Sequence, residues 1–152
     1  MNTQLKSTAA AAVLAIVAAL GATAAVSADE PAAKLKCSDI LWNGELLAKY
    51  PKAPAACQEV AVRDGKKYAR FTANVTSVSA DTVKLKFTNV VGMEGRELSV
   101  KPKAGAMVTI EGKKIAFAKL QRGDVLTFWI AENRVGVISD PADTVESEIE
   151  LK

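Results

Sequence analysis

The 152-residue sequence contains no histidine, only two cysteines and few aromatic residues, 5% of the total. Without histidine the commonest general base is missing, along with the Ser-His-Asp and Cys-His nucleophile systems and most zinc sites. Two cysteines are too few for a disulfide-dense miniprotein. There is no Gly-rich phosphate loop, no metal-spaced ligand cluster and no activated nucleophile. The carboxylates Asp64, Glu94 and Asp124 all fall in turn-like segments, where acids are expected anyway. The sequence therefore points away from an enzyme and implies no cofactor and no metal. An enzyme of unrecognised type is kept only as a third reading.

What is present is a hydrophobic fraction of 49% and a formal net charge of +3. That is too apolar for a disordered chain and too short for two ordinary domains. Residues 1–28 read as a signal peptide. Lys6 closes a short positive region, Ala9 to Leu20 is a continuous apolar run, and Val26-Ser27-Ala28 supplies small residues for cleavage after Ala28. The apolar run is too short to span a bilayer comfortably, so the protein is expected to be periplasmic or secreted rather than membrane-spanning. An uncleaved anchor is the alternative. Cys37 follows Lys34-Leu35-Lys36, which is unlike the small residues that precede a lipoprotein cysteine.

An exported chain meets oxidising conditions, so Cys37 and Cys57 are expected to form one disulfide. With 19 residues between them, loop closure makes such a bridge worth about 3 kcal/mol. The spacing fits neither CxxC redox chemistry nor a zinc knuckle. Inside this loop, Ser38 or Asp39 can cap a helix over Ile40 to Lys49 with Ile40, Leu41, Leu47 and Trp42 near one side. Tyr50-Pro51 ends it, and Pro54 is expected to keep the return extended. Residues 29–67 thus read as a helical segment and 68–152 as a small barrel, together one domain.

From Tyr68 onward the hydrophobic period is two. A hairpin over Ser79-Ala80-Asp81 pairs Val75 with Leu85 and Ala73 with Phe87, gathering its large apolar groups on one face. Leu98 and Val100 form a further short strand. A second hairpin is expected to turn at Gly112-Lys113 in type II′ geometry, with Ile110 opposite Ile115 and Val108 opposite Phe117. A third turns at Glu132-Asn133, with Ile130 opposite Val135, Phe128 opposite Val137, and Trp129 beside Gly136 on the other face. Val145, Ser147, Ile149 and Leu151 alternate with charged residues, so the acidic tail reads as a last strand, with disorder as the alternative. These readings give a mainly β fold: a small OB-like or SH3-like barrel of about six or seven short antiparallel strands with one N-terminal helix stapled by a disulfide.

Leu120-Gln121-Arg122-Gly123-Asp124-Val125 is the most recognisable local pattern. Leu120 can plug the barrel, Gly123 permits a positive φ, and Asp124 can bond back into the turn. Arg122-Gly123-Asp124 also spells an integrin tripeptide, and the turn role is preferred. Asn74-Val75-Thr76 fits a glycosylation acceptor but sits mid-strand. The stretch from about Tyr68 to Asp140 resembles small secreted bacterial β-barrel domains of unknown function. Val75, Val78, Gly112, Leu120, Gly123, Asp124 and the Leu126 to Ile130 strand carry the likeness. It implies a fold and no catalytic residues.

The charge is uneven. Residues 29–138 carry 18 Lys and Arg against 12 Asp and Glu, whereas residues 139–152 carry one Lys against five acids. Either the body offers a basic face regulated by an acidic tail, or the tail pairs against that face and neutralises it; the second is preferred. The hairpin face of Arg70, Lys84 and Lys86 has no aromatic for base stacking, so no nucleic-acid partner is expected. Trp42 and Trp129 are either mutual core under the helix or a binding platform. The candidate binding surface is thus Trp129, Trp42, Arg70, Lys84 and Lys86. The leading reading is an exported, soluble, non-catalytic binding or accessory protein of the bacterial envelope. Its partner would be an envelope protein or an anionic polysaccharide or lipid head group, and its oligomeric state is left open.

Overall fold

A computed structural model describes residues 34–88 and 97–151. The expected signal peptide and Glu94 lie outside these residues. The described chain opens with a 3₁₀ turn, Cys37–Asp39, then two short helices, α1 (Gly44–Lys49) and α2 (Ala53–Ala56). Nine strands follow: β1 (Glu59–Arg63), β2 (Lys66–Val78), β3 (Val83–Phe87), β4 (Leu98–Lys101), β5 (Met107–Ile110), β6 (Lys113–Ala116), β7 (Val125–Ala131), β8 (Gly136–Val137) and β9 (Ser147–Glu150). All pair antiparallel in one sheet. No described helix is long and apolar enough to cross a membrane.

The ladders run β6-β5-β7-β2-β3-β4-β9-β8, with β1 beside β2 off this path. One further bridge joins Ile138, just past β8, to Trp129 in β7. Strict alternation along β2 sends Ala69, Phe71, Ala73 and Val75 to the buried face and Tyr68, Arg70, Thr72 and Asn74 to the other. The inner face continues through Leu85, Leu98, Val100, Leu126, Phe128, Ile130, Val137 and Ile149, all buried. Phe71 is its centre, stacked on Phe128 with centroids 5.6 Å apart and tilted against Phe87 at 5.3 Å. The first hairpin has the expected pairs Val75–Leu85 and Ala73–Phe87, with a bulge between Val75 and Ser77. The acidic tail is a strand as its alternation indicated: β9 pairs with β4 on one side and β8 on the other.

The helical segment departs from expectation. Helix α1 starts at Gly44, not Ile40, because Asn43 is the cap: its carboxamide oxygen accepts from the N–H groups of Glu45 at 3.0 Å and Leu46 at 3.1 Å. Asp39 instead accepts from the Lys36 N–H at 2.7 Å and closes the 3₁₀ turn. Leu41 is 65% exposed, while Ile40 and Leu46 enter the core. Pro54 sits in the first turn of α2, where its missing N–H costs nothing, rather than extending the chain. The disulfide Cys37–Cys57 closes this segment, and Tyr50 donates its hydroxyl to the Glu97 carbonyl at 3.1 Å.

Two hairpin registers differ as well. The second turns at Glu111-Gly112, both at positive φ, so Val108 faces Ile115 and Ile110 faces Lys113. A pair of positive φ values is the type I′ geometry, whose twist matches the strands. Phe117 lies past the strand, buried at the start of a 3₁₀ turn whose other two residues are exposed. In the third, Ile138 rather than Gly136 stands opposite Trp129, because residues 132–135 form a longer loop with Asn133 at positive φ. The described strands number nine rather than the expected six or seven, and the first of them, β1, lies where an extended return was expected. Asp64-Gly65, again with both φ positive, joins it to β2, which begins at Lys66.

Candidate functional site

On the outer face, β2 and β7 meet the chain from 139 to 146 around a cleft of about 420 Å³. Lys66, Tyr68, Glu132, Arg134, Ile138 and Glu146 are among its lining residues. The pleat explains their placement. Tyr68 pairs with Ala131 on the face opposite Phe71 and Phe128, and Ile138 follows Val137 with the opposite orientation.

Apart from Lys66, the cleft's charges are tied down. Glu146 pairs with Arg134 at 2.9 Å, and this carboxylate raises the Arg134 guanidinium above its already high value. Glu132 accepts from the Lys67 backbone N–H at 3.2 Å. Asp143 takes Lys114 at 2.6 Å. Ser139 and Thr109 share a hydroxyl–hydroxyl bond at 3.1 Å, and Asp140 accepts from the Ala142 N–H at 2.8 Å. The chain from 139 to 146 is therefore pinned along its length. A Cβ on Gly136 would collide with the Glu146 side chain, which lies across it, so any larger residue here must displace that flexible carboxylate. An isolated glycine in a strand marks such close approaches. That was the legible signal for this site, although the sequence alone assigned Gly136 to Trp129.

Trp129 borders the cleft on the same face. It is half-buried, and its register partners are Arg70 and Ile138. Among the described residues its indole N–H has no hydrogen-bond partner, and it is not among the buried unpaired groups. Trp42 is elsewhere. Its ring meets Phe71 edge-on at 6.0 Å and its N–H donates to the Cys37 carbonyl at 3.3 Å, so it serves the core. The two tryptophans are not packed together as the core reading supposed: Phe71 and Trp129 belong to opposite faces of the sheet.

The five candidate surface residues thus divide. Arg70 and Trp129 are direct cross-strand neighbours. Lys86 stands opposite Asn74 and Lys84 opposite Ser77, farther along β2. Two of the candidate basic residues are matched by acids, Arg70 with Glu59 at 2.8 Å and Lys84 with Glu97 at 3.4 Å, and outside that set Lys101 pairs with Glu150 of the tail strand at 3.0 Å. Glu97 is held below the ordinary carboxylate value, first by the Thr76 hydroxyl; burial opposes the shift, and Lys84 and Lys86 add to it. Glu150 raises Lys101. The tail segment thus pairs with three cations of the body, Lys101, Lys114 and Arg134, whereas Arg70 and Lys84 on the hairpin face are matched by acids of the body itself.

At the other end of β2, Leu120 is buried and Gly123 takes a φ of 96°. Asp124 accepts from the Gln121 N–H at 2.7 Å, so the carboxylate of the Arg122-Gly123-Asp124 tripeptide is engaged within its own turn. Asn74-Val75-Thr76 lies inside β2. Among the described residues no group of three or more acidic or cysteine ligands is placed to hold a metal ion. Comparison of the chain with protein-family models, curated proteins and solved structures finds no match.

Proposed function

We propose that this chain is an exported, non-catalytic binding or accessory protein of the bacterial envelope, and that it holds a polypeptide partner at the cleft beside Trp129. The observation that carries the reading is the surface itself. Tyr68 and Trp129 flank charges of both signs, Lys66 and Arg134 against Glu132 and Glu146. Aromatic side chains with arginine amid mixed polar groups suit a protein interface. An anionic polysaccharide or lipid surface would need a cluster of uncompensated cations, and on the hairpin face Arg70 and Lys84 each have an acid within reach, which leaves Lys86 by itself. Export is supported by the disulfide, since such bonds persist in oxidising compartments. The scaffold would be an OB-like or SH3-like barrel closed by the Trp129–Ile138 bridge, in keeping with the resemblance of residues 68–140 to small secreted barrel domains.

A photo-crosslinking amino acid placed at Tyr68, and separately at Lys86, in the full-length chain tests this in producing cells. The expected result is a discrete protein adduct from Tyr68 and none from Lys86. Adducts from Lys86 alone, or recovery of the chain in the cytoplasm with reduced cysteines, would overturn it.

A further inference from the structure

Strand β1 has a partner on one edge only among the described residues. Its pairing with β2 fixes which backbone groups face outward. Lys67 turns its carbonyl toward β7, accepting from the Glu132 N–H at 2.9 Å, so the pair Val62–Lys67 is not a hydrogen-bonded one. Glu59, Ala61 and Arg63 therefore bond to β2, while Val60 and Val62 direct their N–H and C=O groups to the open edge.

Such edges are usually blunted by lysine, proline or inward charge. The opposite edge strand, β6, carries Lys113 and Lys114. Strand β1 reads Glu-Val-Ala-Val-Arg, with charge only at its ends, no proline and Val62 54% exposed.

This five-residue strand is self-complementary. Laid antiparallel against a copy of itself about Ala61, it sets Glu59 opposite Arg63 and Val60 opposite Val62. The outward groups of Val60 and Val62 are then the ones that meet, giving about four backbone hydrogen bonds. Sequence register and backbone direction thus agree on one arrangement. We propose that β1 pairs with β1 of a second copy around a two-fold axis, making a homodimer with a sheet continuous through both molecules. A closed isologous contact of this kind uses the same patch twice and leaves neither edge of the pair open. Val62 would be covered by Val60 of the partner subunit, and the Arg63 guanidinium, whose own contact with Asp64 is a long 3.9 Å, would share across the axis a Glu59 carboxylate that Arg70 of the same chain already holds at 2.8 Å.

The test uses the full mature chain with its disulfide intact. Sedimentation equilibrium should show a monomer–dimer equilibrium, and the Val60 and Val62 amides should exchange with deuterium more slowly as concentration rises. Arg63→Glu sets like charges across the axis and should weaken association by about tenfold or more. Because Glu59→Arg would face Arg70, the rescue is read in an Arg70→Gln background, where Glu59→Arg/Arg63→Glu should associate more tightly than Arg63→Glu. A chain that stays monomeric at every concentration overturns the proposal. So does a dimer in which the two valine amides gain no protection, or one indifferent to Arg63→Glu.

Discussion

Trp129 and Ile138 exchange both backbone hydrogen bonds, Trp129 N–H to Ile138 carbonyl at 2.8 Å and the reverse at 3.0 Å. This is the one bridge that ties the chain after β8 back to β7. It also seats Ile138 in the wall of the cleft beside Trp129. Ile138→Pro deletes the donor to the Trp129 carbonyl while leaving β8 and β9 their own pairing. It should cost about 3 kcal/mol in urea unfolding, with a red shift of tryptophan emission. Unchanged stability would mean the bridge contributes nothing.

Reduction of Cys37–Cys57 should lower stability by about 3 kcal/mol through the freed loop. The melting temperature should fall by on the order of 10 °C. Strands β2 to β9 hold most of the buried core, so the reduced chain should still show a β-type circular dichroism spectrum. The loss of ordered structure at the cleft, monitored by Trp129 emission, should lag behind that at Trp42.

Gly136→Ala should push the Glu146 carboxylate off its seat and break the pair with Arg134. The pair is partly exposed, so stability should change by less than about 1 kcal/mol. Crosslinking from Tyr68 should nevertheless fall, because the cleft loses its charged wall. In a Glu146→Ala background the same glycine substitution should be nearly silent, and a double-mutant cycle reads that coupling.

The pH profile has two limbs. The folded Glu97 carboxyl lies below its ordinary 4.5, so its contribution is full above the unfolded value and is lost as pH falls through the folded one. Folded Lys101 lies above its ordinary 10.5, so its contribution is full below the unfolded value and is lost as pH rises through the folded one. Stability should be flat between about pH 5 and 9 and decline on both sides. Thr76→Val removes the largest cause of the Glu97 shift and should flatten the acid limb. Glu150→Gln should flatten the alkaline one.

How much of this could be read beforehand follows from which interactions are local. The β2–β3 pairing was legible because period-two alternation and one short loop leave a single register with one apolar face. The Leu120 to Asp124 turn was legible because Gly123 and Asp124 act within a few residues. The helix start was misread because Ser38, Asp39 and Asn43 are all competent caps, and the burial of Ile40 by the distant sheet decides among them. Strand β1 reads from sequence only as an extended return, because Asp64-Gly65, a type I′ signal, falls where the disulfide-closed segment gives way to the strands. The hairpins at Gly112 and Asn133 slipped because Glu111 and Asn133 accept positive φ without being glycine. The cleft was out of reach except through Gly136, since Arg134 and Glu146 meet only after β8 and β9 pair.

Export is the premise on which the proposed envelope role most depends. The direct measurement is the intact mass of the full-length gene product after expression in a bacterium and recovery from the periplasmic fraction, taken with and without reductant. The predicted result is a chain beginning at Asp29 whose mass rises by two hydrogens on reduction. A chain that keeps Met1 and is found in the cytoplasm with both thiols free would contradict it.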